Sequence, residues 1–309
     1  MESTACNYCG SSAADEFLSL QDLLLDRLEI RTRLVKCRDC GLVYQNPRPT
    51  ISEMAAHYPP EYDSYAPNPV TQRTPWLLRL AYDYGVRKRL KTVTHHKSGG
   101  RLLDVGCATG TFLLGVKRHS KLEPEGVEIN AEAAAVARGE GLKVTVGALE
   151  EADFPGDSFD AVTLWDVFEH LHDPSSALAE LHRVLKPGGV LVMRVPNLDS
   201  YDAGIFGRNW AGYDSPRHTY VFGLDILQKL LRRAGFRVLS MRCNIGSYPT
   251  FMLSVRFWLT GRNVPAARRN RIMRLLENPV SRLLTAPLFY LVSAGQRGPL
   301  LTVTAQKAA

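Results

Sequence analysis

Residues 102–115, LLDVGCATGTFLLG, join an apolar strand pattern to a helical one through a turn built almost wholly of small residues. This junction constrains the fold more than any other stretch. A strand, a tight turn and a helix in that order form the first unit of a parallel sheet, and such sheets bind ligands beyond the carboxyl ends of their strands. The composition of the turn limits what the ligand is. A dinucleotide fingerprint counted from Gly106 needs glycine at 108 and 111, where Ala108 and Thr111 stand. A phosphate-cradling loop needs a lysine beside its last glycine, and here Phe112 and Leu113 follow. What remains is Asp104-x-Gly106-x-x-x-Gly110. An acid at that place repels phosphate and suits a positively charged amino group, while both glycines permit close backbone approach.

From Arg101 onward, strand and helix patterns alternate. LLDVG, EGVEI, KVTVG, FDAVTLW, GVLVMRVP, FRVLSM and LLTVTAQK read as strands. GTFLLGVKRH, AEAAAVARGE, SSALAELHRVL and GLDILQKLLRRAG read as the helices between them. This predicts an α/β domain over 99–309, within which 196–223 and 243–299 are too long for simple connections. The stretch 50–98 reads as a helical linker. Thr50 and Glu53 form a capping box there, YPPEYDSYAPNP is a Pro- and Tyr-rich segment, and a helix begins at Thr74-Pro75. On that helix Trp76, Leu77, Leu80 and Tyr84 are expected on the packed face, and Arg87, Lys88, Arg89 and Lys91 on a solvated one.

The N-terminal 1–49 carries CNYCG at 6–10 and CRDCG at 37–41. Two C-x-x-C knuckles followed by glycine supply four soft ligands, so Cys6, Cys9, Cys37 and Cys40 are expected to hold a structural Zn2+ in a closed site. The competing reading is redox-active or merely buried cysteines. No cationic segment followed by an apolar run and a cleavage site opens the chain, which leads to the expectation of a reducing, cytoplasmic compartment.

In order along the chain, DVGCATG, the acid ending the strand in GVEIN, FDAVTLWDVFEHLHDP and RVLKPGGVLVMRVP resemble the class I S-adenosylmethionine-dependent methyltransferases. The resemblance covers about 99–242 and again 300–307. It implies a Rossmann-like seven-stranded sheet whose last strand, LLTVTAQK, is inserted antiparallel, and S-adenosylmethionine as cofactor. It further implies that Asp104 faces the methionine amino group, with the backbone of Gly106, Cys107 and Gly110 against the cofactor. Glu128, 22 residues after Gly106, would take the ribose hydroxyls. Glu150 or the backbone of Leu149 would meet the adenine, and Asp166 and Trp165 the methionine end. The cysteine-bearing N-terminus resembles that of a subgroup linked to cell-surface glycan and small-molecule biosynthesis. It also resembles the ribbon of sugar C-methyltransferases, whose additional C-terminal α/β domain has no counterpart here.

The expected function is methyl transfer, on oxygen, to a small molecule, a sugar or a lipid-linked glycan. His218 in the loop 196–223 is the candidate general base, with His170 of EHLHDP behind it, and Asp214, Arg217 and Tyr220 are expected near the cleft mouth. The alternatives are an rRNA or tRNA methyltransferase and a non-catalytic zinc-ribbon interaction protein. Charge weighs against nucleic acid as a partner, because the net +7 resides in residues 256–309, which sum to +8, while residues 1–255 sum to −1. The apolar, arginine-bearing stretch 243–299 is expected either to cap the cleft or to lie on an anionic membrane surface.

Overall fold

The computed structural model describes residues 1–59, 76–243 and 247–308. An N-terminal hairpin pairs β1 (Ala14–Asp22) with β2 (Arg27–Cys37), and β3 (Val43–Gln45) extends it antiparallel. The chain then turns through α1 (Ile51–Met54), which Thr50 and Glu53 start with the expected capping box. Most of the Tyr- and Pro-rich segment and the Thr74-Pro75 helix start lie outside the described residues. Helix α2 (Trp76–Thr94) follows.

The large sheet is built from β4 (Gly99–Val105), α3 (Thr111–His119), β5 (Lys121–Glu128), α4 (Ala131–Gly139), β6 (Lys143–Val146) and β7 (Phe159–Trp165), then α5 (Pro174–Val184) and β8 (Leu185–Pro196). After α6 (Tyr201–Phe206), a two-residue strand β9 (Tyr220–Val221) leaves the large sheet's path. Helix α7 (Leu224–Arg233), β10 (Phe236–Arg242), helices α8 (Ser247–Gly261), α9 (Ala266–Leu276) and α10 (Pro279–Ala294), and β11 (Leu300–Lys307) complete the chain. The strand order is β10-β11-β8-β7-β4-β5-β6, with β11 antiparallel to both neighbours. That is the seven-stranded mixed sheet that the family resemblance implied. Strand order reverses between β4 and its neighbours β5 and β7, so the carboxyl ends of β4 and β7 open side by side onto one crevice.

Helix α2 packs differently from its expected face. Leu80 and Tyr84 are exposed, and Val86, Leu90 and Val93 are buried against α3. The two stripes stand about 120° apart at roughly 100° per residue. The contact with α3 decides which is buried: Gly115 leaves the space that Val86 fills, and a Cβ there would stand 2.0 Å from Val86 Cγ1.

The N-terminal sheet and the large domain share one core. Strand β9 pairs with β3, Tyr44 opposite Tyr220, so the loop 196–223 donates the fourth strand of the small sheet. Cys6, Cys37, Leu42 and Tyr44 pack in the same cluster as Leu164, Phe168 and Leu191 of the large domain. Beneath the join, Arg217 is fully buried and its Nη2 donates to Asp22 on β1 and to Asp214, at 2.7 Å each. Helix α8 lies against the hairpin turn and the loop, through Phe257 and Leu253 on Leu23, Leu24 and Ala211. Among the described residues, no helix is long and apolar enough to cross a membrane.

Candidate active site

The turn after β4 has the strained form its small residues permit. Gly106, Ala108 and Gly110 all have positive φ, at 69°, 47° and 79°. The two glycines also answer to packing, since a Cβ at Gly106 would lie 2.6 Å from Val167 Cγ2 and one at Gly110 would lie 2.4 Å from Leu142 Cδ1. The Cys107 side chain points into the core over Gly126, and burial raises its thiol above the range of a reactive thiolate, so it is a packing residue.

Two buried acids flank the turn. Asp104 at the end of β4 accepts from Thr163 Oγ1 at 2.6 Å, and burial pushes its carboxyl up to about 7. Glu128 at the end of β5 accepts from the backbone N–H groups of Ala108 and Asn130, both at 2.8 Å. Those bonds fix its carboxylate at the strand end, and burial raises its pKa against their pull. Further along, Leu149 is buried in a 3-10 turn, Leu149–Glu151, while Glu150 is exposed.

Arg89 on α2 belongs to this cleft, which overturns its assignment to a solvated face. Its guanidinium lies 5.4 Å from the Phe112 ring centre and 5.6 Å from that of Trp165, and burial lowers its pKa to about 10. A sequence signal for this exists: Arg89 follows Val86 by three and precedes Val93 by four, the spacing of one helix face. Trp165 packs edge-on to Phe112, and its indole nitrogen is buried without a partner among the described residues. Asp166, also at positive φ (59°), is paired with Arg194, whose Nε donates to Oδ1 at 2.8 Å.

These features suit the cofactor that the resemblance implies. The glycine turn leaves room where Cβ atoms would clash, and a buried acid on each side of it has no full countercharge.

Beyond Asp166, a 3-10 turn Phe168–His170 carries the second half of the site. His218 Nδ1 donates to Gly212 O at 2.9 Å, and its Nε2 lies 4.0 Å from Glu169 Oε1. His170 lies edge-on to His218 at 4.6 Å, and its Nδ1 is within reach of Arg217 O (3.1 Å) and Tyr58 Oη (2.8 Å). Burial holds His170 down at about 3 and lowers His218, so both rings are neutral. Glu169 is 1% exposed, and among the described residues neither carboxylate oxygen has a hydrogen-bond partner. Nothing in EHLHDP tells such a buried acid from a solvated one.

The expected open position of the loop residues is corrected. Asp214, Arg217 and Tyr220 are buried in the join to the N-terminal sheet, and His218, also buried, is the member that lies against Glu169 and His170. The ion pair with Asp22 and the pairing of β9 with β3 draw the loop inward. His172 Nε2 donates to Pro49 O at 3.0 Å, and its carbonyl accepts from Arg48 Nη1 at 2.6 Å, tying EHLHDP to the N-terminal module.

At the far end of that module the four cysteine sulfurs lie within 4.8 Å of one another, with Cys6 and Cys40 at 3.4 Å and Cys9 and Cys37 at 3.5 Å. A tetrahedral Zn2+ with Zn–S of ~2.3 Å spaces its sulfurs by about 3.8 Å. Each knuckle closes in the same way, with Gly10 and Gly41 at positive φ donating to Cys6 O and Cys37 O. The cluster is compatible with zinc.

A family model described as a methyltransferase domain matches residues 78–241. The O-methyltransferase cnsE of Penicillium expansum is 29% identical over 215 residues, 66% of this chain and 74% of its own length. The ubiquinone biosynthesis O-methyltransferase of Alkalilimnicola ehrlichii is 34% identical over 133 residues, 40% of this chain and 53% of its own. The chain spans about half the length of most such relatives, between 42% and 60%. Among solved structures, the [4+2]-cyclase SpnF is 23% identical with a TM-score of 0.55, covering 85% of this chain and 97% of that one. Phosphoethanolamine N-methyltransferase 2 of Haemonchus contortus, solved with S-adenosyl-L-methionine, is 16% identical with a TM-score of 0.54 over 96% of this chain and 69% of that one. Both structural likenesses are likenesses of fold. With the glycine turn, its two buried acids and the mixed sheet in place, the matched segment makes the chain a member of the methyltransferase-domain family, an S-adenosylmethionine-dependent methyltransferase.

Proposed function

We propose that the protein methylates a hydroxyl oxygen of a small-molecule, sugar or lipid-linked glycan acceptor. S-adenosylmethionine supplies the electrophilic methyl group when bound. Asp104 accepts from the cofactor's amino group, Glu128 from its ribose, and the backbone from Gly106 to Gly110, through Cys107, packs against it. Leu149 offers its backbone to the adenine, and Asp166, held by Arg194, bounds the methionine end. The observation that carries the choice of oxygen is the orientation of His218 beyond Asp166. It spends its Nδ1 proton on Gly212 O and leaves Nε2, beside Glu169, as a lone pair that can take the proton of an acceptor arriving as O–H. The O-methyltransferase names of two relatives point the same way.

The test has two arms. Calorimetry on the pure protein is expected to detect S-adenosylmethionine binding that Glu128→Ala weakens at least tenfold. Labelled cofactor added to a cell extract is expected to yield a methyl ether, identified by mass. No binding, or a label found only on nitrogen, carbon or RNA, overturns the reading.

Two further assignments accompany it. The four cysteines hold a structural Zn2+, supported by their spacing and the two matching knuckles. The C-terminal helices contact an anionic bilayer peripherally. Helix α10 turns Val280, Leu283, Leu284, Leu288 and Leu291 outward at 60–75% exposure, and the preceding helix α9 exposes Arg268, Arg271 and Arg274.

A further inference from the structure

We infer that Glu169, His170 and His218 form a divalent-metal site in the acceptor pocket, separate from the four-cysteine cluster. One carboxylate oxygen and one ring nitrogen from each histidine all lie within 4.8 Å of one another. The inference starts from Glu169. Its carboxyl is 1% exposed, and both oxygens lack a donor among the described residues. A buried carboxylate left so is costly unless a proton or a cation joins it. The nearest guanidinium groups are committed elsewhere, Arg194 to Asp166 and Arg217 to Asp22 and Asp214.

The histidines discriminate between the two occupants. His218 spends its Nδ1 proton on Gly212 O, so the Nε2 it turns toward Glu169 is a bare lone pair. His170 likewise has a backbone carbonyl, Arg217 O, at its Nδ1, with Tyr58 Oη beside it. In His218, one ring nitrogen fixed on a carbonyl while the other faces a carboxylate is the arrangement that orients metal-bound histidine. A single proton on Glu169 would satisfy one of these lone pairs, whereas a cation would satisfy all three.

Two imidazoles and one carboxylate suit Mn2+, Fe2+, Co2+, Ni2+ or Zn2+ better than Mg2+, which favours an all-oxygen shell. Three protein ligands leave further positions open, as in sites that act on a bound molecule. The consequence for methyl transfer rests on the hydroxyl-acceptor reading above. An acceptor hydroxyl in an open position is made more acidic, and its proton leaves to bulk water. The oxygen lone pair forms the new C–O bond as the C–S bond breaks and returns its electron pair to sulfur.

The experiment uses the full chain loaded with zinc. Mn2+ titration followed by electron paramagnetic resonance, with metal content measured after gel filtration, is expected to give one bound Mn2+ per chain in addition to zinc. Glu169→Gln and His218→Gln should each weaken Mn2+ at least tenfold while retaining zinc and calorimetric S-adenosylmethionine binding, which reports that they fold. Cys40→Ser should do the reverse, losing zinc and keeping Mn2+. Wild-type protein that binds cofactor but takes up no Mn2+, Co2+ or Ni2+ overturns the inference, with a proton then holding Glu169, and so does binding unchanged in both variants. Neither result touches the methyltransferase reading. Conversely, metal binding without transfer to any hydroxyl acceptor would sink that reading and leave the site standing.

Discussion

Asp104 is the residue at which the proposed cofactor contact is most directly tested. Burial pushes its carboxyl up to about 7 in the unliganded protein, Thr163 and Arg89 pulling it down and Glu128 pushing it further up. Between its unfolded value of ~3.9 and about 7, the folded protein holds a proton the unfolded chain has lost, so stability falls as pH rises across that window. Above it the cost is complete, at roughly 4 kcal/mol. An ammonium group on Asp104 favours the ionised form, so the linkage runs the other way for ligand. S-adenosylmethionine affinity measured by calorimetry between about pH 5 and about pH 9 is expected to weaken by up to about tenfold per unit below pH ~7 and to level off above it. Asp104→Asn should bind more weakly and with a flat profile, and a wild-type profile already flat would remove Asp104 from the amino-group contact. The places of the acid, the glycines and Glu128 at the turn and the strand ends were legible because each serves backbone geometry or a strand end, which sequence spacing encodes. Arg89 and Glu169 were not: spacing alone does not tell which polar residues the tertiary packing turns inward.

At the scale of elements, the least legible feature is the join between the N-terminal sheet and the catalytic domain. The capping box at Thr50, the knuckles and the alternating strands are local patterns and appear where the sequence puts them. The pairing of β3 with β9 spans more than 170 residues, and a two-residue strand has no periodicity of its own. Arg217 locks this join, fully buried between Asp22 and Asp214. Removing one member of such a network strands the others' charges, which costs about 3–5 kcal/mol. Arg217→Met is therefore expected to lower the melting temperature by several degrees or more, since about 1 kcal/mol moves a chain of this size by ~2 °C or less. Because the join also positions His218, the variant should lose acceptor turnover more than cofactor binding. A melting curve within about a degree of wild type would mean that β3 and β9 hold the join without the ion pairs.

For the molecule as a whole, charge and apolar exposure coincide in one stretch of the chain. Residues 256–309 carry the excess positive charge, and α10 packs on α8 through Phe289, against Tyr248 and Phe251, leaving its leucine stripe outward. A helix whose apolar side faces away from the core needs another covering, and adjacent arginines select an anionic one. Each arginine near such a surface adds about 1 kcal/mol, and the attraction decays within a Debye length of ~8 Å at physiological salt. The protein is expected to sediment with vesicles containing phosphatidylglycerol and far less with purely zwitterionic ones, and raising salt to ~1 M should release much of it. Leu284→Glu combined with Leu288→Glu should abolish sedimentation while S-adenosylmethionine binding, remote from α10, stays unchanged. If light scattering instead shows a dimer that the double variant dissolves, the stripe is covered by a second copy of the chain. If the acceptor is lipid-linked, vesicle-borne substrate should be turned over faster than the same headgroup free in solution, and only in the variant that keeps both leucines, because the stripe would then bring the pocket to the surface where its substrate lies.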